Sequence, residues 1–211
     1  MKSCMSLNVS KFFFTLKPDI LLILNPLLIK QGHRVNTYIA LFRGINVGGK
    51  NSLPMKELAA IIESLGYKDV TTYIQSGNVV FRSRGKIGAK DVTELRLAIR
   101  KKKEFDPKVL ILDAEQLHTA VKNNPFPTEN GKVLHFFFLE SAPRNPNLEK
   151  LDQLKKESEK FRLSKEIFYL HAPEGIGRSK LAAGVEKELG VPVTSRNWNT
   201  VHKLVSMAGR E

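Results

Sequence analysis

Apolar positions from residue 38 onward fall into short runs and spaced stripes that predict alternating strands and helices. Residues 38–42 form a run typical of a buried strand, which stops before Gly44. The apolar residues that follow repeat at the spacing of one helix face, namely Leu58, Ile61, Ile62 and Leu65. Gly66 comes directly after this stripe and predicts the end of the helix. The first elements are therefore a strand, a glycine-containing loop and a helix.

A hairpin, a second helix and another strand are predicted next. Residues 70–74 and 78–81 are rich in β-branched and aromatic side chains, and the Gln75-Ser76-Gly77 segment separates them as in a tight hairpin. Helical spacing returns at Val92, Leu95 and Ile99. Residues 109–112 then form a further apolar strand. The resulting order, β-α-β-β-α-β, is that of a ferredoxin-like domain.

A short helix and a connector follow these elements. Asp113 and Gln116 have the spacing of a capping box, which predicts a helix that starts after residue 113. Residues 123–131 are rich in Asn and Pro and predict a connector between two halves. We therefore expect the first half to span residues 37–125 and the second half to span residues 126–211.

The second half repeats the pattern of the first except at its end. Residues 133–139 predict a strand, and residues 161–163 and 167–170 predict a hairpin. Two helical stripes are present, at Leu148, Leu151 and Leu154 and at Leu181, Val185 and Leu189. A last helix is predicted around residues 198–205, in place of a fourth strand. The predicted fold is α+β, with two ferredoxin-like βαββα halves in a pseudo-duplication and an additional C-terminal helix.

The first 36 residues do not fit this pattern and are predicted to be an extension. Residues 12–29 are apolar but contain Lys17, Pro18, Asp19 and Pro26, and central charges are costly in a membrane span. We therefore expect no span. Val35 stands just before the first strand, so a mis-assigned start at its codon is one explanation. A disordered or membrane-touching extension is the other.

Charge and metal-ligand content restrict the partners. The net charge is +13, to which the tail contributes +4, and the remaining +9 favours anionic partners or serves solubility. Cys4 is the single cysteine, so one chain can form neither a disulfide nor a thiolate metal site. The histidines show no paired ligand spacing, so no metal site is predicted, and whether the protein binds a cofactor is left open. The composition suits a cytoplasmic protein.

The first segment with candidate chemistry is the glycine loop of residues 44–51. It approaches the phosphate-loop pattern GxxxxGK[ST] between a strand and a helix. However, Asn51 stands where the magnesium-binding hydroxyl belongs, and Pro54 places the helix too late. A nucleotide triphosphatase is therefore disfavoured. A glycine turn that brings backbone N–H groups to an anion is the milder prediction.

Two further segments have the residues of an anion site. Residues 174–180 form a glycine loop at a helix start, with two cationic side chains, or else a plain turn capped by Ser179. Residues 194–200 place polar groups around Trp198, and Arg196 could form a bidentate pair with phosphate or carboxylate. Trp198 could equally be a core anchor.

A family resemblance joins these segments. Residues 38–50 (YIALFRGINVGGK) and 73–81 (YIQSGNVVF) resemble the bacterial family called domain of unknown function 1697, and residues 177–181 and 196–201 look like its C-terminal signatures. The resemblance implies two ferredoxin-like halves in a cytosolic bacterial protein and no established activity. The resemblance also implies that these four segments are hallmarks of the family. Polar and glycine-rich loops of this kind more often form binding or catalytic sites than contribute to packing.

The leading functional hypothesis is a small anionic, phosphate-bearing ligand held in a cleft between the halves. The candidate ligand-binding residues are Arg43, Asn46, Gly48, Gly49, Lys50, Gln75, Ser76, Asn78, Gly177, Arg178, Ser179, Lys180, Arg196, Asn197 and Trp198. The alternatives are a nucleic-acid-binding module, or a structural or interaction protein without a ligand. The sequence does not decide whether the protein is an enzyme, and it indicates no oligomeric state.

Overall fold

A computed structural model describes residues 35–209 of the chain. Within this range eight strands form two four-stranded antiparallel sheets, and six α-helices cover them. The fold is thus mixed α+β, as predicted. Residues 1–34 of the predicted extension lie outside the described residues. The first strand begins at Asn36.

The first sheet contains β1 (Asn36–Arg43), β2 (Lys68–Tyr73), β3 (Asn78–Ser83) and β4 (Lys108–Asp113), in the order β2-β3-β1-β4. Helices α1 (Met55–Ser64) and α2 (Ala89–Lys103) connect β1 to β2 and β3 to β4. Their apolar stripes pack on the outer face of the sheet, where Leu58 and Ile99 share a core with Phe42 and Phe81. Helix α3 (Ala114–Lys122) follows β4 without a loop.

The second sheet contains β5 (Leu134–Leu139), β6 (Lys160–Ser164), β7 (Ile167–His171) and β8 (Val193–Asn197). Its order, β6-β7-β5-β8, matches that of the first sheet strand for strand. The helices of this half are α4 (Leu148–Leu154), α5 (Lys180–Leu189) and α6 (Trp198–Ala208). Helices α4 and α5 cover the outer face, where Leu151 and Val185 pack on Phe137.

The inner faces of the two sheets share one core. Alternation along β1 places Ile39 and Leu41 there, and alternation along β5 adds Phe136 and Phe138. Helices α3 and α6 complete this core; α6, for example, contributes Leu204. Both faces of both sheets are therefore covered by protein, and the two halves depend on each other for burial.

The prediction that the second half lacks a fourth strand is wrong. Residues 193–197 form β8, which pairs with β5 at the edge of the sheet, and the last helix follows at Trp198. The pattern was missed because three of these five residues, Ser195, Arg196 and Asn197, are polar and only partly buried. An edge strand of this kind lacks the apolar run that identifies a buried strand.

The predicted capping box at the start of α3 is confirmed. Asp113 accepts a hydrogen bond from the Gln116 N–H at 2.7 Å, and the Gln116 side chain accepts one from the Asp113 N–H at 2.9 Å. Both N–H groups lack partners inside the helix, so the reciprocal pair fixes the turn from β4 into α3.

Candidate functional site

The glycine segment after β1 is a small hairpin rather than a phosphate loop. Val47 and Lys50 pair across a two-residue turn, with a Lys50 N–H to Val47 carbonyl distance of 3.1 Å between nitrogen and oxygen. Gly48 and Gly49 occupy the turn at φ 58° and 74°, where positive φ at both positions is the geometry of a type I′ turn. Helix α1 begins only at Met55, so Lys50 does not lie at a helix start.

Asparagine side chains fasten this loop to the neighbouring β2–β3 turn. The Asn46 amide nitrogen donates to the Leu53 carbonyl at 2.9 Å and to the Gln75 carbonyl at 3.0 Å. Its oxygen accepts from the Leu53 N–H at 2.7 Å, and Asn51 donates to the Gly44 carbonyl at 2.8 Å. Residues 44–53 and 74–77 therefore form one unit, called here the loop pair.

Arg196 of β8 reaches across to the loop pair and joins the two halves. Its Nε donates to the Asn78 side chain at 2.5 Å, and its Nη2 donates to the Phe42 carbonyl at 2.6 Å. The same Nη2 lies 3.1 Å from the Ser76 carbonyl and 3.3 Å from the Gly77 carbonyl. Nη1 donates to the carbonyl of residue 195 at 2.8 Å. Three of the predicted motifs thus meet at one guanidinium group.

The charge of Arg196 is stabilised by neutral oxygens. All of its described hydrogen-bond acceptors are carbonyl or amide oxygens, and none is a carboxylate. Burial lowers the pKa of Arg196 to about 10, which leaves the group protonated at neutral pH. Asn78 is fully buried, and its amide nitrogen donates to Tyr73 and Ser76 at 3.1 Å each. The guanidinium therefore connects β8 to β1 and to the β2–β3 turn through hydrogen bonds.

Arg43 makes a second connection between the halves. Its guanidinium pairs with both carboxylate oxygens of Glu186 in α5, and Nη1 also donates to the Val193 carbonyl at 2.6 Å. The hydrogen bond from Arg43 holds the pKa of the Glu186 carboxyl below its ordinary value, with further support from the Arg43 charge. Like Arg196, Arg43 contacts protein acceptors.

The Arg43–Glu186 pair predicts a specific dependence of stability on pH. Because the folded state lowers the pKa of Glu186, the pair stabilises the fold above the unfolded-state value and loses that effect as pH falls through the folded-state value. Glu186→Gln is expected to lower the free energy of unfolding at pH 7 by about 1 kcal/mol or less, since solvent screens the pair. In urea titrations the difference from wild type should shrink as the pH falls below the ordinary glutamate pKa of about 4.3; a constant difference would contradict this account.

The fourth motif lies apart from this meeting point. Residues Ile176–Arg178 form a 3₁₀ turn, and the Ser179 hydroxyl caps α5 by accepting from the Ala182 N–H at 2.9 Å. Glu186 lies seven residues after Ser179, a rise of about 10 Å along the helix. Gly177, Arg178 and Lys180 are exposed, and no hydrogen bond within residues 35–209 connects the Arg178 or Lys180 side chain to the other motifs.

Asn197 and Trp198 have local roles at the start of α6. The Asn197 side chain caps the helix by accepting from the Thr200 N–H at 3.0 Å. The Trp198 ring stacks on Phe136 with 5.9 Å between centroids, against the inner core. The core-anchor interpretation of Trp198 therefore fits its position.

Comparison with known proteins identifies the family. A family model described as "Protein of unknown function (DUF1697)" matches residues 35–169, which is more than half of the chain. The chain belongs to the DUF1697 family. The matched range includes β1, the loop pair and Asn78, whereas the DUF1697 match ends before the motifs at residues 177–181 and 196–201.

A solved structure resembles this DUF1697 protein over most of its length. The conserved bacterial protein SP0830 from Streptococcus pneumoniae is 25% identical, with a TM-score of 0.60, over 83% of this chain and 99% of that protein. No curated protein matched the sequence. None of the helices within residues 35–209 has the length and apolarity that a membrane span requires.

Several cations lie at the end of the first sheet where β1 leads into the loop pair. Lys108, at the start of β4, pairs in register with Arg43, and Lys103 forms an ion pair with Glu57 of α1. These contacts place the last turn of α2 and the starts of β4 and α1 close together. The exposed cations of this basic end are Lys50, Lys56, Arg100, Lys101, Lys102 and Lys108.

Sequence reasoning missed Glu186 and the backbone acceptors of the two arginines. A glutamate on a helix surface is usually solvated, so its local sequence gives no signal of an ion pair with residue 43. Every residue type has a backbone carbonyl oxygen, and the Phe42, Ser76 and Gly77 carbonyls that accept from Arg196 lie more than a hundred positions away in the chain. Only the tertiary structure reveals these partners.

Proposed function

We propose that the protein binds a phosphate-bearing anion at the exposed side of the loop pair. The observation that carries the proposal is that some polar side chains of the loop pair hold its backbone, whereas others have no hydrogen-bond partner among the described residues. Asn46, Asn51 and Asn78 hold the backbone in place. Within residues 35–209, no hydrogen bond uses the side chains of Lys50 or Gln75, and both side chains are exposed.

Backbone donors add to these side chains. The N–H groups of Gly48 and Gly49 form no hydrogen bond with the described part of the chain, and both glycines are exposed. Successive N–H groups in a turn of positive φ form a concave donor surface suited to anions. In the proposed site, Lys50, the Gln75 amide and the two backbone donors contact the same phosphate group.

The surrounding charge supports an anionic partner. The basic end contains exposed cations on α1, α2 and β4, and such a field raises the local concentration and the association rate of anions. Residues 35–209 together have the +9 that remains after the tail is subtracted. The net charge of the protein thus attracts anions, as the cations of the basic end do.

The proposal assigns Arg43 and Arg196 to support rather than to contact with ligand. Both guanidinium groups already donate to protein oxygens, and a ligand in their place would need to displace several of these hydrogen bonds. Lys180 and Arg178 would lie outside this site, at the far end of α5 from Glu186. The expected cleft between the halves is therefore replaced by a surface at one end of the first sheet.

We also propose that the two halves are copies of one ferredoxin-like unit, in a protein of the cytoplasm. The identical strand order of the two sheets supports the duplication. The single cysteine supports a reducing compartment.

Lys50→Ala tests the proposed site. Calorimetry with inorganic pyrophosphate at low salt should show binding that weakens about tenfold in the variant, as expected for the loss of one charged hydrogen bond. The matched control is Lys86→Ala, which removes the same charge from an exposed position beyond β3, at the opposite end of the first sheet. Equal weakening by both variants, or no binding by wild type, would reject the site.

Nucleic acid is the second candidate partner, because the basic end extends beyond the loop pair along α2. Both faces of each sheet are covered, so the usual RNA platform of exposed strand aromatics is absent from the described residues. A phosphate backbone on the basic end would instead give affinity that falls steeply with salt. The slope of log affinity against log salt concentration reports how many phosphates the protein contacts. Binding of short RNA with a slope that corresponds to several phosphates, and that Lys50→Ala does not change, would favour nucleic acid over pyrophosphate-like ligands.

A further inference from the structure

A cavity of about 270 Å³ lies where the two halves meet, between α3 and the turn that joins β6 to β7. Its floor is apolar: Leu112 and Ala120 come from the first half, and Phe138, Ile167 and Tyr169 come from the second half. None of the predicted site residues lines it. The cavity is therefore separate from the loop pair and has its own chemistry.

Hydrogen bonds hold the walls of the cavity in place. The Tyr169 hydroxyl donates to the Ala120 carbonyl at 2.8 Å and thereby fixes β7 to α3. The Leu139 N–H donates to the Glu166 carbonyl at 2.9 Å, which ties the β6–β7 turn to β5. The capping box of Asp113 fixes the third wall. Such a cavity is largely formed before any ligand arrives, as small-molecule sites usually are.

The rim of the cavity has the opposite charge to the rest of the molecule. Asp113, Glu115 and Glu166 face a single cation, Lys165, so the rim has a net charge of −2. Among the described residues, Glu115 and Glu166 form no ion pair, and Asp113 accepts from one backbone N–H through Oδ1. Carboxylates left unpaired in a basic protein favour a cationic ligand above an apolar floor.

We propose that this cavity binds a small organic cation, an amine that carries a compact apolar group. The apolar group would lie on Phe138 and Ile167, and the ammonium would lie among the rim carboxylates. A volume of about 270 Å³ is just below the usual range of ligand cavities, about 300–1,000 Å³. The ligand is thus smaller than a typical drug molecule.

This inference is independent of the proposed anion site. The sequence predicted an anionic ligand in a cleft between the halves, whereas the cavity found at that junction has a rim suited to a cation. Lys50→Ala should leave amine binding unchanged, and rim variants should leave pyrophosphate binding unchanged. Either proposal can therefore be rejected by experiment without affecting the other.

Three probes with the same apolar body and different charge test the inference: 2-phenylethylamine, 2-phenylethanol and 3-phenylpropionate. Titration followed by protein NMR should show saturable binding of the amine, with the alcohol at least tenfold weaker and the acid weaker still. The double variant Glu115→Gln, Glu166→Gln should weaken the amine at least tenfold. It should leave the alcohol unchanged, because the apolar floor remains intact.

Two further variants complete the design. Glu149→Gln removes an exposed carboxylate from α4, outside the cavity lining, and should not change amine affinity. Thr119→Phe places a ring at an exposed lining position of α3 and should block all three probes without disturbing the core. The inference is overturned if wild type binds none of the probes, if it binds all three equally, or if the rim variant binds the amine like wild type.

Discussion

Arg196→Ala is expected to lower the free energy of unfolding by about 3–5 kcal/mol, because buried acceptors left without donors cost about 1–3 kcal/mol each and here several are affected together. The variant removes the donor from the Asn78 side chain and the Phe42 carbonyl, which belong to buried residues, and from the carbonyl of the exposed Ser76. Relief from burying a charge offsets part of this loss. Urea unfolding followed by Trp198 fluorescence measures the effect, since Trp198 packs on the inner core.

Two companion variants make the test of Arg196 specific. Arg196→Lys keeps the charge but replaces the planar donor fork with a point charge, so it should recover only part of the stability. Arg178→Ala removes an exposed arginine from the glycine loop before α5 and should change the free energy of unfolding by less than about 0.5 kcal/mol. A loss below about 1 kcal/mol for Arg196→Ala would show that the hydrogen bonds of Arg196 contribute little to the stability of the fold.

Gly77→Ala is expected to destabilise the fold by about 3 kcal/mol or more, because it combines backbone strain with steric overlap. Gly77 has φ 77°, and an added Cβ would lie 2.6 Å from the Phe42 Cβ and 2.7 Å from the Ile45 Cδ1. Both neighbours are buried core residues that cannot move freely. Thermal and urea unfolding should agree on the loss.

Gly49→Ala is the matched control for Gly77→Ala. Gly49 has a similar φ of 74°, but an added Cβ would meet no atom within 4 Å. The expected loss is therefore only the backbone term, about 1–2 kcal/mol. The difference between the two variants isolates the overlap at the contact between the β2–β3 turn and β1. Equal losses would mean that this contact is not tightly packed.

Most helices and strands could be predicted because their apolar spacing is set by local geometry. The stripe at Leu58, Ile61 and Ile62 is buried on one face of α1, and Phe136 and Phe137 point to opposite faces of β5, as alternation requires. β8 escaped prediction because tertiary contacts, rather than apolar residues, determine its role. Arg196 and Asn197 serve a distant turn and a helix cap.

The candidate site could be predicted in part. The motifs at residues 43–50, 75–78 and 196 contact one another, whereas the motif at residues 177–180, which was expected in the same cleft, lies apart from them. What the sequence could not show is whether the arginines face a ligand or the protein. That depends on which backbone carbonyls lie nearby and on how much water reaches them, and neither is encoded within a short segment.

Helix α6 has a consequence for the order of events during synthesis. It contributes Val201, Leu204 and Ala208 to the layer between the two sheets, and it leaves the ribosome after all eight strands. Until then, each sheet has an apolar face without its full cover. A nascent chain paused before residue 198 would therefore be a natural client for chaperones that recognise exposed apolar surface.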